Sequence, residues 1–451
     1  MIEFKLPRFL AAVFLSIVIY LIILYFYRFS TAWSGILISL AFMLLFFPVP
    51  FTKDLFHPFI IFISIEILFL INILDKDLSG TVIRYTKWIS EESQDSIIIY
   101  SVLIITIWYI FFYCGYFTSL NIRSKCAVRI SMPQINNPVK LGLIFFTLSV
   151  LGFIYALSYT GGFRFMIIAM SNRRAIYSGL GYLRKIVSLG CLASMLFLCG
   201  GYTKLSLVSV ALTTIMVALF GGRSAAFFGI IFPYLLSYNY VKRKISTVNA
   251  FLMALLGVNF GLIWGNLRMT GKLIVIRESL AKLIRLIAQG TGGGDNLPAL
   301  VGSLLNHQID YKYGKTLINI LFAPIPRKIW TSKPIIDETG IIGNVLMGSK
   351  YWGLPSGPYG LAFFNFSWFG VIFFSFLTGF LIQKLYQNFI LNQLGSKDNY
   401  SNIIFYSLII RSSFNIFATS AQIDFIWYIG VFLLLYLMDK FLSKYFIFAR
   451  Q

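Results

Sequence analysis

The hydrophobic positions of this chain gather into long, nearly unbroken runs separated by short polar stretches. A helix of roughly 20 apolar residues crosses the ~30 Å hydrocarbon core of a bilayer, and many of these runs reach that length. In lipid such a run must be helical, because only a helix satisfies its backbone groups within one segment. The pattern predicts spans at 9–27, 32–51, 55–74, 97–117, 140–160, 186–199, 205–220, 225–241, 248–266, 361–383, 402–418 and 423–441. The sixth is short, which suggests a tilted or partly re-entrant segment. The first follows Lys5 and Arg8 without a small-residue cleavage site and is expected to be a retained span. The expected fold is therefore all-α. It is a polytopic integral membrane protein with about twelve transmembrane helices. Residues 1–451 form a single membrane domain, with one large loop at 267–360 containing short helices.

Composition agrees with this picture: 58% of the 451 residues are hydrophobic and only 12% are charged, where a soluble domain carries about 25% charged residues. The four cysteines, Cys114, Cys126, Cys191 and Cys199, lie in or near apolar runs without metal-ligand spacing, so they read as small hydrophobes. The net charge of +22 is divided between two sets of loops and calls for no nucleic acid. One alternating set carries Lys5, Arg8, Lys53, Arg123, Lys125, Arg129, Lys204, Lys242, Arg243, Lys244, Lys384, Lys397, Lys440, Lys444 and Arg450. The positive-inside rule makes this the cytoplasmic face and puts both termini there.

The other face is basic as well. Segment 161–185 carries Arg164, Arg173, Arg174, Arg184 and Lys185 with no acid, and loop 267–360 holds eleven Lys and Arg against five acids. Long loops translocate largely regardless of charge, so the topology stands. The excess suits an anionic, lipid-borne substrate, or equally the attraction of anionic headgroups in membrane lipid.

Several positions could carry chemistry. Segment 273–289 alternates as an interfacial helix, apolar side down. It serves either as an anchor or as a substrate contact. Gly290–Asn296 could hold phosphate at a helix start, but Asp295 opposes an anion and favours a capping turn. Arg223 lies in the short turn Gly221–Ser224, where its fork could grip a diphosphate or snorkel to headgroups. Arg411 falls well inside the span expected at 402–418. An intramembrane Arg is a functional-site hypothesis by default, with Glu66 as its candidate partner if the pair is structural. His57, beside Pro58, is expected to be inert. His307, near Asp310, is either a general base for a sugar hydroxyl or merely solvated. Asp75 and Asp77 have carboxylate-pair spacing, but Lys76 between them favours a solvated turn. No metal site and no cofactor are expected.

Downstream runs Ala323-Pro324-Ile325-Pro326-Arg327-Lys328-Ile329-Trp330, then Gly353-Leu354-Pro355-Ser356-Gly357-Pro358-Tyr359-Gly360, then Asn365-Phe366-Ser367-Trp368-Phe369-Gly370-Val371 entering a span. Together with Gly-Gly-Arg-Ser at 221–224, this resembles the oligosaccharide repeat-unit polymerases of bacterial polysaccharide assembly, the Wzy-type O-antigen polymerase family. The resemblance implies a multi-pass protein of the bacterial inner membrane with its active site facing the periplasm. It implies transfer of a growing glycan from undecaprenyl diphosphate onto a new lipid-linked repeat unit. The partners implied are an undecaprenyl-diphosphate-linked oligosaccharide, a chain-length regulator (co-polymerase) and the flippase of the same pathway. With that chemistry in view, His307, Arg223 and Arg327 are the expected catalytic residues. Arg173, Arg174, Arg268, Arg277, Arg411 and Trp330 are the expected substrate-binding ones. A lipid-linked oligosaccharide flippase and an O-antigen ligase are the alternatives.

Overall fold

A computed structural model of the chain describes residues 6–26, 32–52, 54–79, 94–121, 132–169, 181–220, 223–242, 245–246, 248–249, 296–322, 330, 332, 338–348, 354, 356–393 and 400–448. Every regular element among them is helical. In order they are α1 (Leu6–Phe26), α2 (Ala32–Phe46), α3 (Pro58–Ser79), α4 (Gln94–Asn121), α5 (Pro138–Thr160), α6 (Phe163–Ala169), α7 (Gly181–Cys199) and α8 (Thr203–Leu219). Next come α9 (Arg223–Ala226), a π-helical turn at Phe227–Ile231, α10 (Phe232–Lys242), α11 (Asn296–Leu305), α12 (Lys315–Ile318) and α13 (Glu338–Met347). The last three are α14 (Gly357–Phe389), α15 (Tyr400–Ser413) and α16 (Thr419–Phe448).

These are the helices of a membrane protein, and fewer than the expected twelve crossings lie among the described residues. Six segments among the described residues are long and apolar enough to cross a bilayer: Trp33–Phe51, Ser96–Leu120, Pro138–Thr160, Gly181–Cys199, Gly357–Phe389 and Ala421–Ser443. Pro7–Ile23, Pro58–Ile71, Thr203–Leu219 and Asn296–Leu305 are apolar but shorter. The run expected at 225–241 is divided by its π-helical turn. The run expected at 402–418 stops as a helix at Ser413, and Phe414–Phe417 form a turn into α16. Hydropathy does not register that stop, because the turn residues are themselves mostly apolar and partly buried. The span expected at 248–266 and the interfacial helix at 273–289 lie almost wholly outside the described residues.

Local chemistry sets several boundaries. Pro138 opens α5, where its missing N–H costs nothing. Gly161 closes it at φ 82°, a left-handed position suited to glycine, and the N–H of Gly162 donates to Leu157 O at 2.9 Å. The helices pack through small residues. A Cβ on Gly115 would stand 1.9 Å from Phe376 O, and one on Gly379 would stand 2.0 Å from Phe112 O. So α4 and α14 touch backbone to backbone, as helices do where van der Waals contact drives association. The helix α11, inside the loop expected at 267–360, is buried from Asn296 to Leu304.

Helix α14 is broken. Phe366 (φ −138°, ψ 21°) and Ser367 (φ 54°, ψ −144°) leave helical geometry. The Ser367 conformation is rare for any residue with a Cβ. The break frees carbonyls in the preceding turn, and the segment before α12 takes them. The Lys312 N–H donates to Phe364 O at 2.9 Å, and the Tyr313 N–H to Asn365 O at 3.0 Å. Asn365, fully buried, accepts from Gly314 N–H (3.2 Å) and the Thr316 hydroxyl (2.9 Å), and donates to Leu361 O (2.9 Å). The Asn-Phe-Ser motif is thus the place where a helix opens and a loop docks. Irregular backbone at such a point needs these partners, because lipid offers none.

Candidate functional site: a cationic cluster at one end of the bundle

Helix α15 ends with Arg411 in its last turn, where a cation complements the helix dipole. This corrects the mid-span position expected from the sequence. Arg411 is exposed, and its guanidinium lies over the ring of Phe228, 4.8 Å from the centroid. A cation held this way keeps its hydrogen-bond donors free for a ligand. Phe228 belongs to the π-helical turn, a feature often found at functional positions. Arg223 opens the same stretch, five residues earlier, or about 7.5 Å of helix. The backbone of Arg223 therefore starts near the end of the bundle that carries Arg411.

The N-terminal parts of α7 and α16 complete the cluster. Lys185 forms an ion pair with Asp424, and the Ser412 hydroxyl donates to the other Asp424 oxygen at 3.2 Å. Arg184, beside Lys185, is exposed. Asp424 attracts the Arg411 guanidinium, and Arg184 lies close enough to repel it. Three cations, Arg184 and Lys185 of α7 and Arg411 of α15, thus share one neighbourhood with a single carboxylate, Asp424 of α16. The local excess of two positive charges suits a ligand carrying about two negative ones.

Glu66 is not the partner of Arg411. It accepts a hydrogen bond from the Tyr109 hydroxyl at 3.1 Å, deep in the bundle. His307 occupies the αL position that ends α11, at φ 54°. Its N–H donates to Leu304 O at 3.2 Å, and the Gln308 N–H to Ser303 O at 2.9 Å. That is the paired bonding of a Schellman stop, in which histidine tolerates the left-handed geometry better than most residues. Its ring is exposed, as is Asp310, and no hydrogen bond or ion pair joins the two among the described residues. Trp330 is half-buried. Its indole donates to Ser332 Oγ at 2.9 Å, and its ring meets Phe322 edge-on at 5.6 Å. Arg173, Arg174, Arg268, Arg277 and Arg327 lie outside the described residues, as do the Gly-rich turn at 290–295 and the side chains of Asp75 and Asp77.

Asp424, Ser412 and Phe228 were not legible as site residues. Asp424 did leave a signal, since it is an acid inside an apolar run, and such residues are functional hypotheses. Phe228 left none, because its role depends on the π-helical turn.

His57 sits with a second polar group away from this cluster. It is buried, its Nδ1 accepts the Phe59 N–H at 3.2 Å, and its Nε2 lies 3.2 Å from the Tyr116 hydroxyl. Asp54, close by in sequence, accepts from the hydroxyls of Tyr240 (2.7 Å) and Tyr386 (3.1 Å). Asp439 takes the backbone and side-chain N–H groups of Asn136 and Asn137, the residues leading into α5. These contacts tie helix ends together and have the character of structural supports.

The helices and this cluster define a class, a helical membrane protein with a cationic site where several helix ends meet. Comparison with protein-family models, with curated proteins and with solved structures found no match.

Proposed function

We propose that this chain polymerises undecaprenyl-diphosphate-linked oligosaccharide repeat units into a surface polysaccharide at the periplasmic face of a bacterial inner membrane. The observation that carries the reading is the convergence of Arg184, Lys185 and Arg411, with Asp424 the acid among them, at one end of an apolar helix bundle. In the reaction, a hydroxyl of the acceptor sugar attacks the anomeric carbon of the donor sugar. The bond from that carbon to the diphosphate oxygen breaks, and the electron pair leaves with the diphosphate. The hydroxyl proton passes to a base, for which His307 is the exposed candidate. Diphosphate is already a competent leaving group. The protein mainly supplies positive charge to stabilise it and geometry to aim the hydroxyl. No metal and no cofactor enter the scheme. The two negative charges of a diphosphate diester match the charge excess of the cluster. A phosphodiester headgroup carries one and matches it less well.

The topology that belongs to this reading has twelve crossings, both termini cytoplasmic, and loop 267–360 in the periplasm with Arg223, Arg327, Arg268, Arg277, Arg173 and Arg174 available near the donor. A chain-length regulator and the flippase of the same pathway would be its partners. The break in α14 favours a second reading, since discontinuous helices build substrate sites in transporters; a lipid-linked oligosaccharide flippase would use it so.

Glycan analysis of a deletion strain separates the readings. Surface lipid capped with a single repeat unit is the result expected for a polymerase. Loss of all surface units points to a flippase, and lipid-linked polymer that never reaches its final acceptor points to a ligase. Either of those outcomes overturns the proposal.

A further inference from the structure

The carboxyl of Glu66 is an unexplained expense. It lies near the middle of α3 and is 3% exposed. The Tyr109 hydroxyl donates to it at 3.1 Å, and the Tyr359 hydroxyl faces the same carboxylate. Tyr113, also on α4, is the other titratable group near it. The wall around it is aromatic: Phe69 and Trp108 pack edge-on against Tyr359, with centroids 4.9 and 6.1 Å away. Among the described residues no cation pairs with it. An acid in such a place is costly, and α3 would be a better helix there with leucine.

What the carboxyl does is join three helices. Tyr359 is the third residue of α14 and belongs to the half that precedes the break at Phe366 and Ser367. The helical geometry is interrupted between that half and the rest of α14, so its own contacts help to set its direction. Gly360 is one such contact, where a Cβ would stand 3.2 Å from Leu297 Cδ1 of α11. Tyr359 on Glu66 is the polar one. At its other end the half-helix holds the 312–316 segment through Phe364 O and Asn365. The chain of contacts therefore runs from Glu66 through Tyr359 and the outer half of α14 to the docked loop.

We propose that Glu66 is a positioning residue, which fixes the outer half of α14 against α3 and α4 and thereby holds the 312–316 loop in its dock. The proposal rests on the polymerase reading only for its effect on turnover; the mechanical effect stands apart from it. Glu66→Leu removes the acceptor and strands two phenol hydroxyls in a dry site. Glu66→Gln keeps the shape and serves both phenols, its oxygen accepting from one hydroxyl and its NH2 donating to the oxygen of the other.

Hydrogen exchange of the full-length protein in detergent tests this directly. The Lys312 and Tyr313 amides donate to the outer half of α14, so their exchange reports opening of the dock. At parental abundance, Glu66→Leu should speed their exchange at least about tenfold, while Glu66→Gln stays within about threefold of the parent. Amides of α8, remote from the contact, should be unchanged in both. For polymerisation, the rate at saturating donor should fall in Glu66→Leu and recover in Glu66→Gln. The donor concentration giving half-maximal rate should stay constant, because the cationic cluster is untouched. Parental exchange at Lys312 and Tyr313 in Glu66→Leu overturns the proposal, and so does an equal rise in α8, which would mean general loosening. Faster exchange confined to the dock, in a protein that makes no polymer, sustains the positioning role and removes the polymerase reading instead.

Discussion

Arg411 is the residue whose environment changed most between sequence and structure. As a mid-span arginine it is a functional-site hypothesis, with Glu66 its candidate partner if the pair is structural. At the end of α15 the helix terminus and the Phe228 face both favour a cation, and its acidic neighbour is Asp424 rather than Glu66. Asp424 is already held by Lys185 and Ser412. That leaves Arg411 as the cation best placed to meet an incoming anion. Its contact should strengthen as a diphosphate departs, so Arg411→Ala should slow polymerisation about a hundredfold, equivalent to about 3 kcal/mol. Lysine keeps the charge but loses the planar fork, so Arg411→Lys should fall between the two. A gel assay of polymer length with purified protein and lipid-linked repeat units checks both variants. Parental rates in Arg411→Ala would move the diphosphate site away from this cluster.

At the scale of elements, hydrophobic runs located helices well and their interruptions poorly. The runs at 97–117, 140–160 and 361–383 correspond to α4, α5 and α14, each continuing some residues beyond its apolar core. The break inside α14 was invisible because Phe366, Ser367 and Trp368 suit an apolar helix as well as any neighbour. Only the docked loop, which satisfies the freed carbonyls, explains why the chain opens there. The close pairing of α4 and α14 was similarly hidden, since glycines are frequent throughout the chain. It makes a sharp expectation. Gly379→Ala places a methyl 2.0 Å from a backbone oxygen of α4, so the helices must separate. Overpacking of this kind costs about 1–3 kcal/mol. Gly430→Ala meets nothing within 4 Å and should be neutral or slightly stabilising. Thermal denaturation of the two variants in the same detergent gives the comparison, with a lowered transition expected for Gly379→Ala alone.

For the whole molecule, the distribution of polar contacts is consistent with alternating passage through a bilayer. The start of α7, the end of α15 and the start of α16 meet in the cationic cluster. Elsewhere, the ends of α10 and α14 meet Asp54, and the entry to α5 meets Asp439 of α16. In the proposed topology the first group is periplasmic and the second cytoplasmic. Cysteines introduced at the exposed residues Asn306 and Gln134 provide the test. A membrane-impermeant thiol reagent applied to cells with an intact inner membrane should label Asn306→Cys and miss Gln134→Cys. The reverse pattern would invert the orientation and take the periplasmic site with it.

The sequence by itself determined the helical class and the membrane setting, because apolar length and the cost of unpaired backbone in lipid leave no other solution. It also marked the basic segments as needing a reason beyond topology. Where α15 ends, where α14 opens, and which partners Arg411 and Glu66 take were decided only in three dimensions. Each depends on groups far apart in the chain: Arg411 on Phe228 and Asp424, Glu66 on Tyr109 and Tyr359, Asn365 on Gly314 and Thr316. A hydropathy pattern records the solvent that a residue prefers. It carries no record of which distant polar group will be brought within 3 Å of it, and in a dry interior that choice sets whether a charge is structural or free to bind.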